Sequence, residues 1–392
     1  MPDNVTVQRN SIWINAGEIS GDLHGALLIK ALRAENAGLR LMGMGGPSMR
    51  AAGLESFFQV EELSVMGFTE VLGQLPKIIR LLRNIKAKLR EERPAALVVI
   101  DAPSFHFRLI KMAGLLDIPV YYYISPKVWA SRQGRVQFIK KNVRRLISIL
   151  PFEVEFYQKF GLQVDYVGNP LLDTLDLPAL DQLPTVPGRI GFLPGSRRKE
   201  VSALMPQFGL AAQILQNNMP DLEFCCVRAP GLDEDFLRSF WPDQVPLRFI
   251  PPAERYAAMR SCAMLIAASG TAVLESALIG TPTLIVYRLS ALTFHLIKTF
   301  FIKVPFIGLP NLIAGKAILP ELLQKDAEGE NLARHALAWL RSEADGQEGA
   351  SQQGSRGLQA VRADLADLRK TVGGAGATNR AAEIILRDMG LL

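Results

Sequence analysis

Short apolar runs rich in β-branched residues alternate along this chain with stretches whose apolar positions recur every three to four residues. Ser11–Ala16 predicts a strand, and Asp22–Glu35 a helix that aligns Leu23, Ala26, Leu27, Ala31 and Leu32 at helical spacing. Leu39–Met44 predicts a second strand. Ala96–Ile100 is continuously apolar, the pattern of a strand covered on both faces of a parallel sheet. Val120–Ile124, Leu146–Leu150 and Val164–Val167 follow as further strands, with helical stretches between them. The segment from Asn169 to Arg189 carries Pro170, Pro178, Pro184 and Pro187 and reads as a linker. After it the alternation restarts, with strands at Arg189–Leu193, Leu222–Val227, Leu247–Ile250, Met264–Ala268 and Thr283–Tyr287. Helices fall at Lys199–Gln216, Ala253–Arg260 and Ala272–Ile279. The fold class is α/β, and two doubly wound, Rossmann-like domains describe it more simply than one large sheet. The expected divisions are 1–170, a linker at 171–188, a second domain at 189–375 and a terminal helix within 376–392. Residues 342–357 are polar and glycine-rich, the composition of a loop.

Composition narrows the class. The chain has 392 residues, 49% hydrophobic and 21% charged, which excludes wholesale disorder and a disulfide-stapled mini-scaffold. Three cysteines without a C-x-x-C pair and four scattered histidines predict no metal site and a reducing compartment. The polar N-terminus does not read as a signal peptide. The apolar region from Thr293 to Ala314 is interrupted by Lys298, Lys303, Pro305 and Pro310, so it makes a poor membrane span. A cytoplasmic protein that touches a membrane only at its surface is expected. The net charge of +6 matters through its placement. Lys77–Arg90 holds six Lys/Arg and no acid, next to Val65, Met66, Phe68 and Leu72, and Ile118–Phe152 holds seven and no acid. Cationic residues beside apolar ones suit an anionic membrane surface. The alternatives are a solvated helix face and a nucleic-acid groove, and the modest overall charge and lack of a nucleic-acid motif speak against the latter.

Several strand ends carry candidate chemistry. The first strand runs into Gly17, Glu18, Ile19, Ser20, Gly21 and Asp22, a turn that either binds a phosphate or polar substrate or is simply capped by Ser20 or Asp22. Gly43–Ser48 matches a dinucleotide fingerprint poorly, because Ser48 stands where the third glycine belongs, so NAD is a weak reading. Asp101 sits at the carboxyl end of a core strand, where open α/β sheets bind ligands, and serves either as a general base or as a cap. His106 lies between Phe105 and Phe107, a setting that holds a packed or half-buried histidine more often than a catalytic one. Gly195, Ser196 and Arg197 join a strand to a helix, as do Ser269, Gly270 and Thr271, with Glu275 one turn further on. Two such junctions in one domain suit a diphosphate held by helix dipoles and an arginine, with no D-x-D pair at a strand end to hold a divalent ion. Asn311, in the apolar stretch Gly308–Gly315, either meets a ligand or caps a helix.

Eight blocks together resemble the lipid-A-disaccharide synthases: residues 16–26, 65–73, 100–105, 122–135, 150–157, 193–201, 268–275 and 309–315, in family order. The resemblance implies a GT-B architecture with two Rossmann-like domains facing a cleft and the last helix returning to the first domain. It implies inverting transfer of 2,3-diacylglucosamine from UDP-2,3-diacylglucosamine to lipid X (2,3-diacylglucosamine 1-phosphate), releasing UDP and needing no cofactor. Asp101 matches the family's base, and Arg197 and Asn311 match residues implicated in activity. Val65, Met66, Phe68 and Leu72 match the membrane and acyl-chain patch. Glu275 takes the ribose hydroxyls by analogy with other GT-B enzymes. The expected setting is the cytoplasmic face of the inner membrane, with room for a homodimer. Asn169 replaces the usual histidine, Ser104 and Ser131 also depart from the pattern, and 342–357 looks inserted. The rivals are another GT-B enzyme such as a UDP-sugar epimerase, which needs no apolar basic face, and a lipid-binding protein without catalysis, which needs no Arg197.

Overall fold

The computed structural model describes residues 8–64, 71–288, 305–344 and 357–392. Two compact units emerge: Met1–Asp173 with Gly374–Leu392, and Thr174–Gly373. Among the described residues the first holds a seven-stranded sheet, β1 (Gln8–Ala16), β2 (Arg40–Gly45), β3 (Glu55–Gln59), β4 (Pro94–Ile100), β5 (Val120–Tyr123), β6 (Arg145–Ser148) and β7 (Asp165–Tyr166). Their order is β3-β2-β1-β4-β5-β6-β7, and every pairing is parallel. The second holds β8 (Val186–Leu193), β9 (Glu223–Val227), β10 (Arg248–Ile250), β11 (Cys262–Ala268), β12 (Thr283–Tyr287) and β13 (Glu321–Leu323). These also run parallel, in the order β10-β9-β8-β11-β12-β13. Both are doubly wound sheets.

The apolar run of β4 is buried on both faces, as its sequence requires. Leu97 and Val99 join Trp13, Met42, Met44 and Tyr122 in one core. Ala96, Val98 and Ile100 join Ile12, Ile14, Tyr121 and Tyr123 in the other. The terminal helix Ala377–Met389 closes this second core with Ala381, Ala382, Ile385 and Leu386. Asp173 anchors its start by accepting the Gly376, Ala377 and Thr378 amides at 2.6, 3.1 and 2.8 Å. The proline-rich stretch contains two short helices, Leu171–Thr174 and Leu177–Asp181, before β8 begins at Val186.

One expected alternative needs correction. Neither Ser20 nor Asp22 caps the first helix, which starts at Ile19 behind Glu18. Buried Asp22 instead accepts the Gly46, Ser48 and Met49 amides at 2.7, 2.9 and 3.0 Å, and so caps the helix Pro47–Ala51. The Gly43–Ser48 run is thereby no dinucleotide cradle: its amides already serve a carboxylate. Gly43 lies within β2, where a Cβ would stand 2.1 Å from the Ile14 carbonyl oxygen.

Candidate functional site

In the first sheet β1 lies between β2 and β4, so the winding reverses direction between β1 and β4. Open α/β sheets form their ligand crevice at such a switch point, beyond the carboxyl ends of the strands. Ala16 of β1 stands opposite Ile100 of β4, so Gly17 and Asp101 leave adjacent strand ends together. Their closeness explains the glycine: a Cβ on Gly17 would come within 2.3 Å of the Ala102 Cβ. Gly17 and Gly21 are buried, whereas Glu18 and Ser20 are exposed.

Asp101 is half-buried, and both it and Ala102 adopt left-handed conformations, with φ of 50° and 40°. Burial pushes its carboxyl above the usual carboxylate range, while the Lys127 ammonium and the Ala102 amide pull it partly back. Lys127 lies in the loop after β5, next to β4 in the sheet. That loop is held from beneath. Trp129 Nε1 donates to Glu153 at 2.8 Å, and the Tyr157 hydroxyl meets Ser125 Oγ at 2.7 Å and donates to the Pro126 carbonyl at 3.1 Å. Glu153 also accepts from Ser148 Oγ, yet burial pushes its carboxyl up to about 7. Further along, the Arg135 guanidinium stacks 4.8 Å from the Phe107 ring centre. Burial and the neighbouring Arg132 charge both lower its pKa. The basic run divides here: Arg144 and Arg145 pair with Asp388 and Asp165, while no carboxylate among the described residues pairs with Lys127 or Arg135.

The second sheet repeats the switch point between β8 and β11, where Leu193 stands opposite Ala267. The junctions at Gly195–Arg197 and Ser269–Thr271 therefore leave neighbouring strand ends. Gly195 has φ of 98°, and a Cβ there would stand 2.2 Å from Glu200 Oε2. Glu200 lies in the first turn of the helix Arg198–Asn218, close to the Ser196 and Arg197 amides. Its carboxyl is raised by burial and lowered by Arg197 and those amides. A carboxylate thus stands close to the donors expected to meet a phosphate, while Ser196 and Arg197 remain exposed. Gly270 and Thr271 are exposed at the start of the helix Thr271–Ile279. Glu275 accepts from the Tyr256 hydroxyl at 3.1 Å, and Arg255 lies 4.1 Å over the Tyr256 ring. Burial raises the Glu275 carboxyl, and Arg255 and Tyr256 oppose the rise.

Asn311 is fully buried in the helix Leu309–Ala314. Its Nδ2 donates to the Leu319 carbonyl and to Glu321 Oε1, both at 2.8 Å, and its Oδ1 accepts the Ile318 and Leu319 amides at 2.9 Å. Its amide is fully engaged within the unit. Val65, Met66 and Phe68 lie outside the described residues, and Leu72 falls in the first turn of the helix Val71–Glu92. On that helix Leu81, Leu82, Ile85 and Leu89 are buried, whereas Ile79 is 41% exposed beside the exposed Lys77, Arg80 and Arg83. Among the described residues, no helix is long and apolar enough to cross a membrane, and no group of three or more His, Cys, Asp or Glu side chains could hold a metal ion. Sequence reasoning missed Lys127, Arg135, Glu200 and Tyr256. The acid-free run around the first two was the available signal, and nothing local marked the others.

Both units are doubly wound parallel sheets, and the family the chain matches makes it a glycosyltransferase that uses a UDP-sugar. A family model described as Lipid-A-disaccharide synthetase matches residues 12–368. The Lipid-A-disaccharide synthase of Trichlorobacter lovleyi is 39% identical over 96% of each chain, and that of Myxococcus xanthus is 36% identical over the same shares. The chain belongs to the lipid-A-disaccharide synthase family, and its activity is the transfer of a diacylglucosamine unit. Solved structures share the fold at low identity. A Neisseria meningitidis UDP-GlcNAc 2-epimerase bound to UDP-GlcNAc gives a TM-score of 0.61 at 11% identity, covering 97% of this chain and 99% of that one. The S. aureus MnaA-UDP co-structure gives 0.63 at 11%, covering 97% of each.

Proposed function

We propose that the reaction is an inverting transfer from UDP-2,3-diacylglucosamine to lipid X, giving a β-1,6-linked disaccharide 1-phosphate and UDP. The observation that carries this reading is a half-buried carboxylate with a raised pKa, Asp101, at a switch point within reach of the Lys127 charge. Asp101 takes the proton of the acceptor's 6-hydroxyl as that oxygen bonds to the donor's anomeric carbon. The bond from that carbon to the diphosphate oxygen breaks on the opposite face, and its electron pair leaves with UDP. Lys127 and Arg135 offer charge to the acceptor's phosphate. In the second unit Arg197, Ser196 and the amides around Ser269, Gly270 and Thr271 meet the diphosphate, where growing negative charge repays donors already in place. Gly195 lets that backbone approach closely. Glu275 accepts the ribose hydroxyls, and Asn311 holds its own loop in shape. Gly17, Glu18, Ser20 and Gly21 form the wall on the acceptor side. Val65, Met66, Phe68 and Leu72, with the cationic helix face behind them, rest on the cytoplasmic face of the inner membrane. A homodimer is compatible with this arrangement.

The test is turnover in mixed micelles containing EDTA. Asp101→Ala should lose activity by roughly a hundredfold or more while keeping its UDP affinity. A folded Asp101→Ala protein that turns over normally would sink the assignment. Because a base works deprotonated, activity falls as pH drops through the Asp101 pKa. Lys127→Met removes the charge that restrains that pKa, so the acid limb of the kcat/KM profile should move to higher pH. An unmoved limb would remove Lys127 from the site.

A further inference from the structure

The Asp101–Ala102 turn is costly. Two successive residues other than glycine have φ of 50° and 40°, a strained conformation that persists only where the surroundings impose it. The surroundings are specific. The Asp101 carbonyl accepts His106 Nδ1 at 2.7 Å and the Tyr122 hydroxyl at 2.8 Å. His106 Nε2 meets Asn15 Nδ2 at 3.1 Å, and Asn15 Oδ1 accepts Trp13 Nε1 at 3.3 Å. Trp13, Asn15 and His106 are all fully buried.

Proton placement along this chain has one solution. The indole can only donate, so Asn15 turns its oxygen to Trp13 and its amino group to His106. Nε2 of His106 is then the acceptor, and the ring proton sits on Nδ1, facing a carbonyl that can only accept. Burial supports the same neutral form by pulling the His106 pKa down to about 4. Both ring nitrogens are occupied, so His106 has no free nitrogen with which to take a substrate proton.

We propose that His106, oriented by Asn15, is a positioning residue that acts with Tyr122 to hold the strained Asp101–Ala102 turn in its reactive conformation. This inference rests on the reading of Asp101 as the base. A carboxylate that must lie within hydrogen-bond reach of a hydroxyl loses rate quickly when displaced, and a turn under strain relaxes once its restraints are removed.

The experiment compares His106→Leu, His106→Asn, Tyr122→Phe, Asp101→Ala and the double variant Asp101→Ala/His106→Leu, with melting temperatures recorded for each. Leucine removes the donor, whereas asparagine can place an amide N–H near the position of Nδ1. His106→Leu should lower kcat by roughly 30- to 100-fold, with KM for either substrate changed by less than about threefold. Asparagine should restore most of that loss. The double variant should be no slower than Asp101→Ala, since both changes strike one function. If His106→Leu does not fold, Tyr122→Phe carries the same test by removing the other donor to that carbonyl. An inactive Asp101→Ala beside a fully active His106→Leu or Tyr122→Phe overturns the positioning role alone. An active Asp101→Ala overturns the reading beneath it. Multiplying losses in the double variant would show that His106 acts independently of Asp101, and would also overturn the proposal.

Discussion

The two units solve one topological problem in opposite ways. Each opens a crevice where its winding reverses, between β1 and β4 in the first and between β8 and β11 in the second. In the first, the residues at the strand ends are locked: Gly17 is pressed against Ala102, and buried side chains fix the Asp101 carbonyl. In the second, Ser196, Arg197, Gly270 and Thr271 are exposed, and left-handed backbone falls to Gly195, which tolerates it. Under the proposed roles this is a division of labour. The first crevice holds one carboxylate to a fraction of an ångström, and the second presents exposed donors to a diphosphate.

The contrast breaks most sharply at two glycines. Gly17→Ala forces a new carbon to 2.3 Å from the Ala102 Cβ, in backbone that cannot yield without moving Asp101. Activity should fall by roughly 10- to 100-fold, with a stability loss of about 1–3 kcal/mol. Gly270 faces open space with an extended φ of 178°, so Gly270→Ala should leave stability within about 0.5 kcal/mol of wild type, and any loss of activity there should appear in KM for the UDP-sugar. Steady-state kinetics and thermal melts on both variants decide the matter. Equal tolerance at the two sites would remove the distinction.

Much of this was legible because strand ends announce themselves. The apolar run of β4 ending in Asp101, and the strand–glycine–helix junctions at Gly195 and Gly270, are local patterns that a single sequence carries. What stayed hidden depends on distant partners. Asp22 reads as a cap for its own helix because its true partners, the Gly46–Met49 amides, come from the next βα unit. Asn311 reads as a ligand contact because Glu321 and the Leu319 carbonyl, which satisfy it, follow in a later strand and loop. The left-handed turn at Asp101 leaves no glycine as a trace. β3 was missed because its residues are only half-buried, and β13 because it has three residues.

A second contrast concerns the carboxylates behind each crevice. Glu153 is buried beneath the Lys127 loop, and its carboxyl rises to about 7 from an ordinary 4.5. A group whose pKa is raised on folding contributes stability that is fully present below its unfolded value and is lost as pH climbs through its folded value. Wild type should therefore lose roughly 3 kcal/mol relative to Glu153→Gln between about pH 4.5 and pH 7. Denaturant unfolding at both pH values measures it, and parallel pH profiles in the two proteins would deny Glu153 the burial cost assigned here.

Glu200 is the counterpart in the second unit, and its effect should be the smallest and of the same sign. It sits in the first turn of a helix, where burial raises its carboxyl while Arg197 and the Ser196 and Arg197 amides oppose the rise. A diphosphate arriving at that terminus competes for the same donors and is repelled by the same charge. Glu200→Gln keeps the side chain's shape and removes its charge. The variant should melt no earlier than wild type at neutral pH and bind UDP about two- to fivefold more tightly, because the charge that repels the diphosphate is gone. Titration calorimetry with UDP reads this directly. Weaker binding in Glu200→Gln would mean that the carboxylate serves the nucleotide instead of holding its place. The second crevice would then be as rigidly prearranged as the first.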